Sequence, residues 1–403
     1  MNKVIFINKY FYPDLSATSQ ILSDIAFHLA EDSTQIYVVC SNQLYQNSSA
    51  KLPKSENVDG VNVIRVKSTS FGRQTIYLRA IDYLTFYIST FFLLLKISSK
   101  NDTLIFKTDP PLLSILGLIL SKIKNTSYIN WLQDVFPEIA ETSFNKPNKY
   151  FFKAIKFLRD ISLMRADINI VIGTTMQDLL ISKGIAPAKI KIISNWSDGT
   201  SIMPIKRADN PLIKEWELSD KFVIAYSGNL GRVHEYETIM ECVRLLNNNH
   251  DIIFLFIGGG SKIHQVENII SKYSLTNIKL KPYQERANLR LSLSCADIHL
   301  VSLLPKFEGL VVPSKLYGIM AAGKPVINIG SLSGEVAKTI NKHDFGISIQ
   351  PGDHLNMIDC ILKLKNNPDI LTSLGRNARS SFSSHFDKDI SLQAWKQIIK
   401  YES

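Results

Sequence analysis

Phe222-Val223-Ile224-Ala225-Tyr226-Ser227-Gly228-Asn229-Leu230-Gly231-Arg232 is five apolar residues followed by a turn with two glycines and an arginine. A short uninterrupted apolar run bounded by turn residues predicts a strand buried on both faces. Apolar residues then recur at helical spacing over 235–246. The unit is strand, glycine turn, helix, and it repeats in both directions. Apolar runs at 252–257, 278–280, 298–301 and 326–329 continue the series, and 4–7, 36–40, 104–106, 128–132 and 168–172 form a second one. Strands alternating with helices predict parallel sheets covered by helices.

Two such series in 403 residues predict two domains, because single cores stop growing near ~250–300 residues. The fold class expected is α/β with two doubly wound, Rossmann-like domains facing a cleft. Polar residues 197–220, broken by Pro204 and Pro211, read as the link. The expected division is 1–203, 204–385 and a last helical segment, 386–403. Ligands of such sheets bind beyond the carboxyl ends of the strands, so functional residues are sought just after each strand.

The composition narrows the partners. Apolar residues make up 45% and charged residues 20% of the chain, as in a folded globular protein. Cys40, Cys242, Cys295 and Cys360 stand apart, with no metal-ligand spacing and no disulfide pattern, which fits a reduced cytoplasmic chain. The apolar start, 4–7, is too short for a signal peptide. The longest uncharged apolar stretch, 83–95, falls short of the ~18–20 residues that span a bilayer, so no membrane-crossing helix is expected. A net charge of +10 favours polyanionic partners.

After strand 222–226, Gly228, Asn229 and Gly231 let backbone amides approach an anion, and Arg232 adds a guanidinium fork. A tight turn with a surface arginine is the alternative. After strand 298–301 come Pro305-Lys306-Phe307-Glu308-Gly309 and then Val312-Pro313-Ser314-Lys315, which opens a helix closed by Ala321-Ala322-Gly323-Lys324-Pro325. Ser314 is expected to cap that helix, and Lys315 to meet a phosphate at its start. Glu308 either accepts bonds from sugar hydroxyls or is a solvated loop carboxylate. Asp134 follows strand 128–132 and either orients or deprotonates an acceptor hydroxyl, or bonds nearby backbone.

Read in order, Tyr226-Ser-Gly-Asn-Leu-Gly, Phe256-Ile-Gly-Gly-Gly, Ser294-Cys-Ala-Asp297, Pro313-Ser-Lys-Leu-Tyr-Gly-Ile-Met-Ala-Ala-Gly-Lys-Pro-Val and 346–353 resemble family-4 glycosyltransferases. The likeness is nearest to the branch that builds bacterial O-antigen, capsule and colanic-acid units, N-acetylfucosaminyl transferases included. Tyr12-Pro13-Asp14, Asp109-Pro110-Pro111, 133–137 and Asn195-Trp196-Ser197-Asp198 extend it over the first half. The resemblance implies a GT-B fold, a nucleotide-sugar donor (UDP first) held by the second domain, an acceptor held by the first, and retention at the anomeric carbon. It assigns Arg232 and Lys315 to the departing diphosphate, Glu308 to the donor sugar, and Tyr283 and Gln284 to the base. A leaving-phosphate oxygen would take the acceptor proton. No metal or other cofactor is implied. The last segment would cross back to the first domain.

The chain departs from the family pattern at three places. Gly318 stands where a ribose-gripping glutamate is usual, with Glu335 a substitute or a plain helix-start residue. The usual lysine beyond the arginine is replaced around His234-Glu235. The first-loop glycine pair is absent, leaving Ser16 and Thr18 to offer hydroxyls. Residues 258–260 read as a turn, with direct phosphate contact as the other reading.

Lys146, Lys149, Lys153 and Lys156 recur at helical spacing beside Tyr150, Phe151, Ile155 and Leu158, and 76–95 is rich in Phe, Tyr and Leu between basic flanks. Both read as membrane-contacting amphipathic helices or as core helices with lysine rims. The function expected is transfer of a sugar to a lipid-linked (polyprenyl diphosphate) glycan, by a protein peripheral on the cytoplasmic face of the membrane. Rival readings are a GT-B-like nucleotide-sugar epimerase, which has no lipid substrate to meet, and a basic nucleic-acid-binding protein, for which no helix-turn-helix, zinc-finger or RNP signature is present.

Overall fold

The computed structural model describes residues 3–32, 35–45, 52–71, 76–142 and 148–402. The chain forms two compact units, Met1–Ser194 with Ser391–Ser403, and Asn195–Ile390.

The first unit holds strands β1 (Lys3–Ile7), β2 (Gln35–Ser41), β3 (Ser55–Val58), β4 (Val61–Val66), β5 (Thr103–Lys107), β6 (Ser127–Trp131), β7 (Ile168–Val171) and β8 (Ile190–Ile192). Its helices are α1 (Ala17–Ala30), α2 (Ile76–Ile97), α3 (Ser114–Lys124), α4 (Glu138–Glu141), α5 (Lys149–Arg165) and α6 (Thr174–Ser182). The sheet runs β3-β4-β2-β1-β5-β6-β7-β8, parallel throughout except for β3 on β4. Alternation across the pleat divides the core in two. Ile5 and Ile7 join Leu104, Phe106, Phe86 and Leu94 on one face. Phe6 lies on the other, its ring 6.3 Å from Trp395, which stands 4.6 Å from Trp131. Trp395 is fully buried; removing a ring of that size from a core costs about 3–5 kcal/mol.

The second unit holds β9 (Phe222–Asn229), β10 (Ile252–Gly259), β11 (Ile278–Lys281), β12 (Ile298–Ser302), β13 (Val326–Ile329) and β14 (Gly346–Ile349), ordered β11-β10-β9-β12-β13-β14 and all parallel. Its helices are α7 (Pro211–Glu215), α8 (Glu237–Leu245), α9 (Ile263–Tyr273), α10 (Leu289–Ser294), α11 (Lys315–Ala321), α12 (Glu335–His343), α13 (His354–Lys365) and α14 (Pro368–His385); α15 (Lys388–Glu402) starts here, and from Ser391 it belongs to the first unit. Both units are Rossmann-like α/β folds.

Three sequence expectations shift. The first unit ends at Ser194, ahead of 203, because the following residues pack on the second: the Gly199 amide donates to Asp387 (3.3 Å) and Ile202 joins the core of Leu316 and Phe382. The 197–220 stretch is not a bare linker, since it contains α7, capped by Asn210, whose Oδ1 accepts from the Leu212 amide at 3.1 Å. The apolar helix does not stop at Asp82: α2 has 22 residues, and 77–97 is long and apolar enough to cross a membrane by length and composition. Asp82 is tolerated because it is buried and accepts from the Thr69 hydroxyl at 2.7 Å and the Phe71 amide at 3.0 Å.

Candidate active site

In the second unit the strand order reverses at β9, which has β10 on one side and β12 on the other, all parallel. Open sheets bind ligands at such switch points, beyond the strand ends. The segments emerging there are 228–234 after β9 and 303–315 after β12.

Glycine is required at the tip of β9 for a steric reason. Gly228 has φ +103°, and Gly258, opposite it on β10, has φ +132°. A Cβ on Gly258 would lie 2.4 Å from the Gly228 carbonyl oxygen. The paired glycines let the strand ends close while backbone faces outward.

Lys315 opens α11 and turns its stem back toward that tip. Its ammonium lies 3.5 Å above the centroid of the Tyr226 ring, and a Cβ on Gly228 would be 3.9 Å from Nζ. The nitrogen is buried and has no hydrogen-bond partner among the described residues. Burial drives its pKa well below the ordinary lysine value. A buried cation without a partner is costly and is kept where a ligand completes it.

His234 completes the cluster. Its Nδ1 accepts from the Gly231 amide at 2.9 Å, which leaves the ring proton on Nε2. The ring meets Tyr226 edge-on at 6.2 Å. Burial, assisted by the Lys315 charge, pushes its pKa down to about 3, so the imidazole stays neutral. Arg232 is exposed, and no described residue bonds it. Asn229 is exposed and its carbonyl accepts from the Tyr226 hydroxyl at 3.2 Å. The structure thus brings Gly228, Asn229, Gly231 and Lys315 together, with Tyr226 and His234 added.

The helix starts do not serve as expected. Ser314 precedes α11 but makes no capping bond, and the helix has only seven residues. At α8 the amide and hydroxyl of Thr238 already donate to Glu235, at 2.8 and 3.0 Å. At α12 the Glu335 amide donates to Glu308 Oε1 at 2.8 Å. Glu308 is therefore not a solvated loop carboxylate, since one oxygen closes a helix start. A Cβ on Gly334 would fall 2.4 Å from Glu308 Oε2, so that glycine makes room for the carboxylate. Burial, with the Glu335 charge, raises the Glu308 pKa against the lowering pull of the Glu335 and Gly309 amides. Tyr283 is 60% exposed and flanks Gly259, whose Cβ would sit 3.1 Å from its ring; Gln284 donates to the Pro282 carbonyl at 3.0 Å. Gly318 lies among Leu293, Ser197 and Ile202.

The remaining candidates lie in the first unit. Asp134 follows β6, and its Oδ1 is buried without a partner. Burial, assisted by the Asp109 charge, raises its pKa to about 7. Thr18 donates to Asp109 Oδ2 at 3.1 Å. The Ser16 hydroxyl is buried and unpaired, while its amide donates to Asp14 Oδ1 at 2.8 Å. Lys107 also sits here, 2% exposed, its ammonium donating to the Thr18 carbonyl at 2.7 Å and lying 4.0 Å from the Trp131 ring centroid. Lys149 and Lys153 of α5 are exposed and Lys156 pairs with Glu141; Lys146 lies outside the described residues. Tyr150, Phe151 and Leu158, placed by the helical wheel on the side away from the lysines, are 88%, 58% and 46% exposed, so they do not pack into the core. Among the described residues no group of three or more His, Cys, Asp or Glu is placed to hold a metal ion.

Sequence reasoning missed Tyr226, His234 and Lys107. Tyr226 ends an apolar run and Lys107 directly follows one, which was the available signal; His234 stands five residues beyond β9.

Residues 210–381, inside the second unit, match the family described as "Glycosyl transferases group 1". The chain is 28% identical over 305 residues to the Pseudomonas aeruginosa protein named as glycosyltransferase WbjE, covering 75% of each. It is 25% identical over 335 residues to the Escherichia coli K12 protein named as colanic acid biosynthesis glycosyl transferase WcaI, covering 80% of this chain and 81% of that one. The fold is similar to sucrose-phosphate synthase of Thermosynechococcus elongatus, with TM-score 0.80 at 15% identity over 100% of this chain and 99% of that one. It is also similar to Anabaena HepE solved with UDP, with TM-score 0.75 at 14% identity over 99% and 100%. The fold is GT-B, and the chain is a glycosyltransferase.

Proposed function

We propose that this glycosyltransferase moves a sugar, with retention, from a UDP-linked donor to a lipid-linked glycan on a polyprenyl diphosphate. Its setting is bacterial surface-polysaccharide assembly at the cytoplasmic face of the membrane. The observation that carries the donor half is the buried, unpartnered ammonium of Lys315 beside Gly228.

A diphosphate brought to that point gives Lys315 the counter-charge it lacks, and exposed Arg232 closes on the same group. As the sugar departs, negative charge grows on the leaving phosphate, and a cation already in place stabilises that state more than the ground state. Neutral His234 holds the Gly231 amide, and thus the loop carrying Arg232, without adding a charge to repel Lys315. Glu308 Oε2 is left to accept sugar hydroxyls once Oε1 is engaged at α12. Asp134 orients the acceptor hydroxyl from the first unit. No metal is required in this scheme, so activity lost with EDTA and restored by Mn²⁺ would overturn that part. The relatives named for glycosyl transfer and colanic acid biosynthesis support the polysaccharide setting, and the HepE complex supports UDP.

Calorimetry tests the donor half directly. Burial lowers the Lys315 pKa and an adjacent diphosphate raises it, so binding should take up protons wherever the pH lies between the two. UDP titrations in buffers of different ionisation enthalpy should show that uptake, and Lys315→Met should abolish it. UDP binding no tighter than UMP binding, with no proton uptake, would sink the assignment. Donors are then ranked by thermal shift, UDP-N-acetylamino sugars first.

A further inference from the structure

Helices α2, α3 and α5 cover one face of the first sheet. Phe86 and Leu94 of α2 and Leu120 of α3 enter the core shared with Ile5, Ile7 and Phe106. Ser162 of α5 bonds Ser114 of α3 at 2.9 Å, and α3 packs against both neighbours. Their opposite sides therefore point away from the sheet together.

Those outward sides are apolar. On α2, Tyr77, Ile81, Leu84, Ile88 and Phe92 are 43% to 83% exposed and recur at steps of three and four, a single stripe over four turns. On α3, Ile119 and Ile123 are 40% and 57% exposed one turn apart. On α5, Phe157 and Met164, 64% and 45% exposed, extend the stripe begun by Tyr150, Phe151 and Leu158. Contiguous apolar area of this extent is rare on a soluble monomer and marks a partner surface.

Charge identifies the partner. The three helices carry nine lysines and arginines against two acids; Arg159 is buried on Glu138 and Lys156 pairs with Glu141, which leaves seven bases. Both acids are engaged, Asp82 as described above and Asp160 with Arg159 at 2.7 Å. A second copy of the chain would set this basic face against itself, which like charges oppose. An anionic lipid surface accepts both the bases and the apolar stripe.

We infer that the α2–α3–α5 face lies in the headgroup boundary of an anionic bilayer, helix axes in the plane and apolar stripes below the headgroups. Although α2 is long enough to cross, Phe86, Thr90 and Leu94 are fully buried against the sheet, and spanning would strip them from it. Binding rests on insertion, with the bases selecting anionic lipid. This deepens the membrane part of the function proposed above and does not depend on the donor site.

The test is co-sedimentation of the full chain with vesicles of phosphatidylcholine, alone or mixed with phosphatidylglycerol. The wild type should bind the mixed vesicles more tightly, and part of that binding should survive high salt. The triple variant L84Q/I88Q/F92Q, altered only at exposed positions, should lose at least roughly 100-fold in vesicle affinity in either salt, since three large apolar side chains no longer insert, while still binding UDP. K122Q/K149Q/K153Q should lose the phosphatidylglycerol preference and keep the salt-resistant remainder. Vesicle binding by the apolar variant equal to wild type would overturn the inference. So would a wild type that ignores vesicles but forms a dimer the apolar variant breaks. If vesicles behave as described and UDP does not bind, the donor reading fails and this inference stands.

Discussion

Lys107 in the first unit and Lys315 in the second are both buried lysines near strand ends, and their surroundings are opposite. Lys107 is bonded to the Thr18 carbonyl, covered by Trp131 and near Asp109, and burial lowers its pKa to about 7 against the raising pull of Asp109 and Asp24. Lys315 has an aromatic face beneath it and, among the described residues, neither an acceptor nor an opposing charge beside it. A satisfied buried cation holds the fold, whereas an unsatisfied one waits for a ligand.

The largest effect expected is on turnover. Lys315→Ala should slow transfer by roughly 10²- to 10³-fold through kcat, as for loss of one preorganised stabiliser, with Arg232→Ala in the same range. Steady-state kinetics on folded protein decides, and a rise in KM alone would break the contrast. In stability the order reverses. Lys107→Ala should cost about 2–4 kcal/mol, from lost packing and an unpaired Thr18 carbonyl, while Lys315→Met should leave the unfolding midpoint unchanged or raise it, because it removes a buried polar group that has no hydrogen-bond partner among the described residues. Denaturant titration of the two variants side by side checks this.

The pH dependence sharpens the same contrast. Lys107 has a folded pKa lowered from 10.5 to about 7. The unfolded chain binds that proton first, so stability should rise with pH across that window, and Lys107→Met should flatten the slope. Glu138 works at the acid end: Arg159 and Lys183 hold its carboxyl down at about 2 against the raising effect of burial. Its contribution should be complete above the ordinary glutamate range and be lost as pH falls toward 2; Glu138→Gln should shift acid unfolding upward. The smallest effect concerns Glu308. Glu308→Ala should cost about 1 kcal/mol by uncapping α12, while Glu308→Gln should keep the cap, lose rate and still bind UDP. A Gln variant with wild-type turnover would reduce Glu308 to the cap alone.

The fold was legible because buried parallel strands are apolar on both faces, so runs such as 222–226 and 252–257 announce themselves. The glycines and lysine of the candidate site could be singled out because turns and cations follow those runs. What escaped depended on distant partners. Asp82 looks like a break in an apolar segment until Thr69 and Phe71 close around it. Ser314 looks like a cap, but its hydroxyl makes no such bond. Glu308 looks like a loop carboxylate until α12, 27 residues on, presents its first amide. The lysines of α5 were visible as a periodicity, but whether their apolar neighbours pack inward or face outward stayed open, because a helical wheel gives faces and not which face meets the sheet.

Trp395, wedged between Phe6 and Trp131, has a consequence for how the molecule is made. The segment that supplies it is translated after the whole of the second unit, while its partners are among the first strands to emerge. Domains tend to fold as they leave the ribosome, yet here the first must hold an open aromatic socket for the time needed to translate residues 195–390. A message truncated before codon 391 would leave Phe6 and Trp131 uncovered, a sticky site of the kind that chaperones and proteases survey.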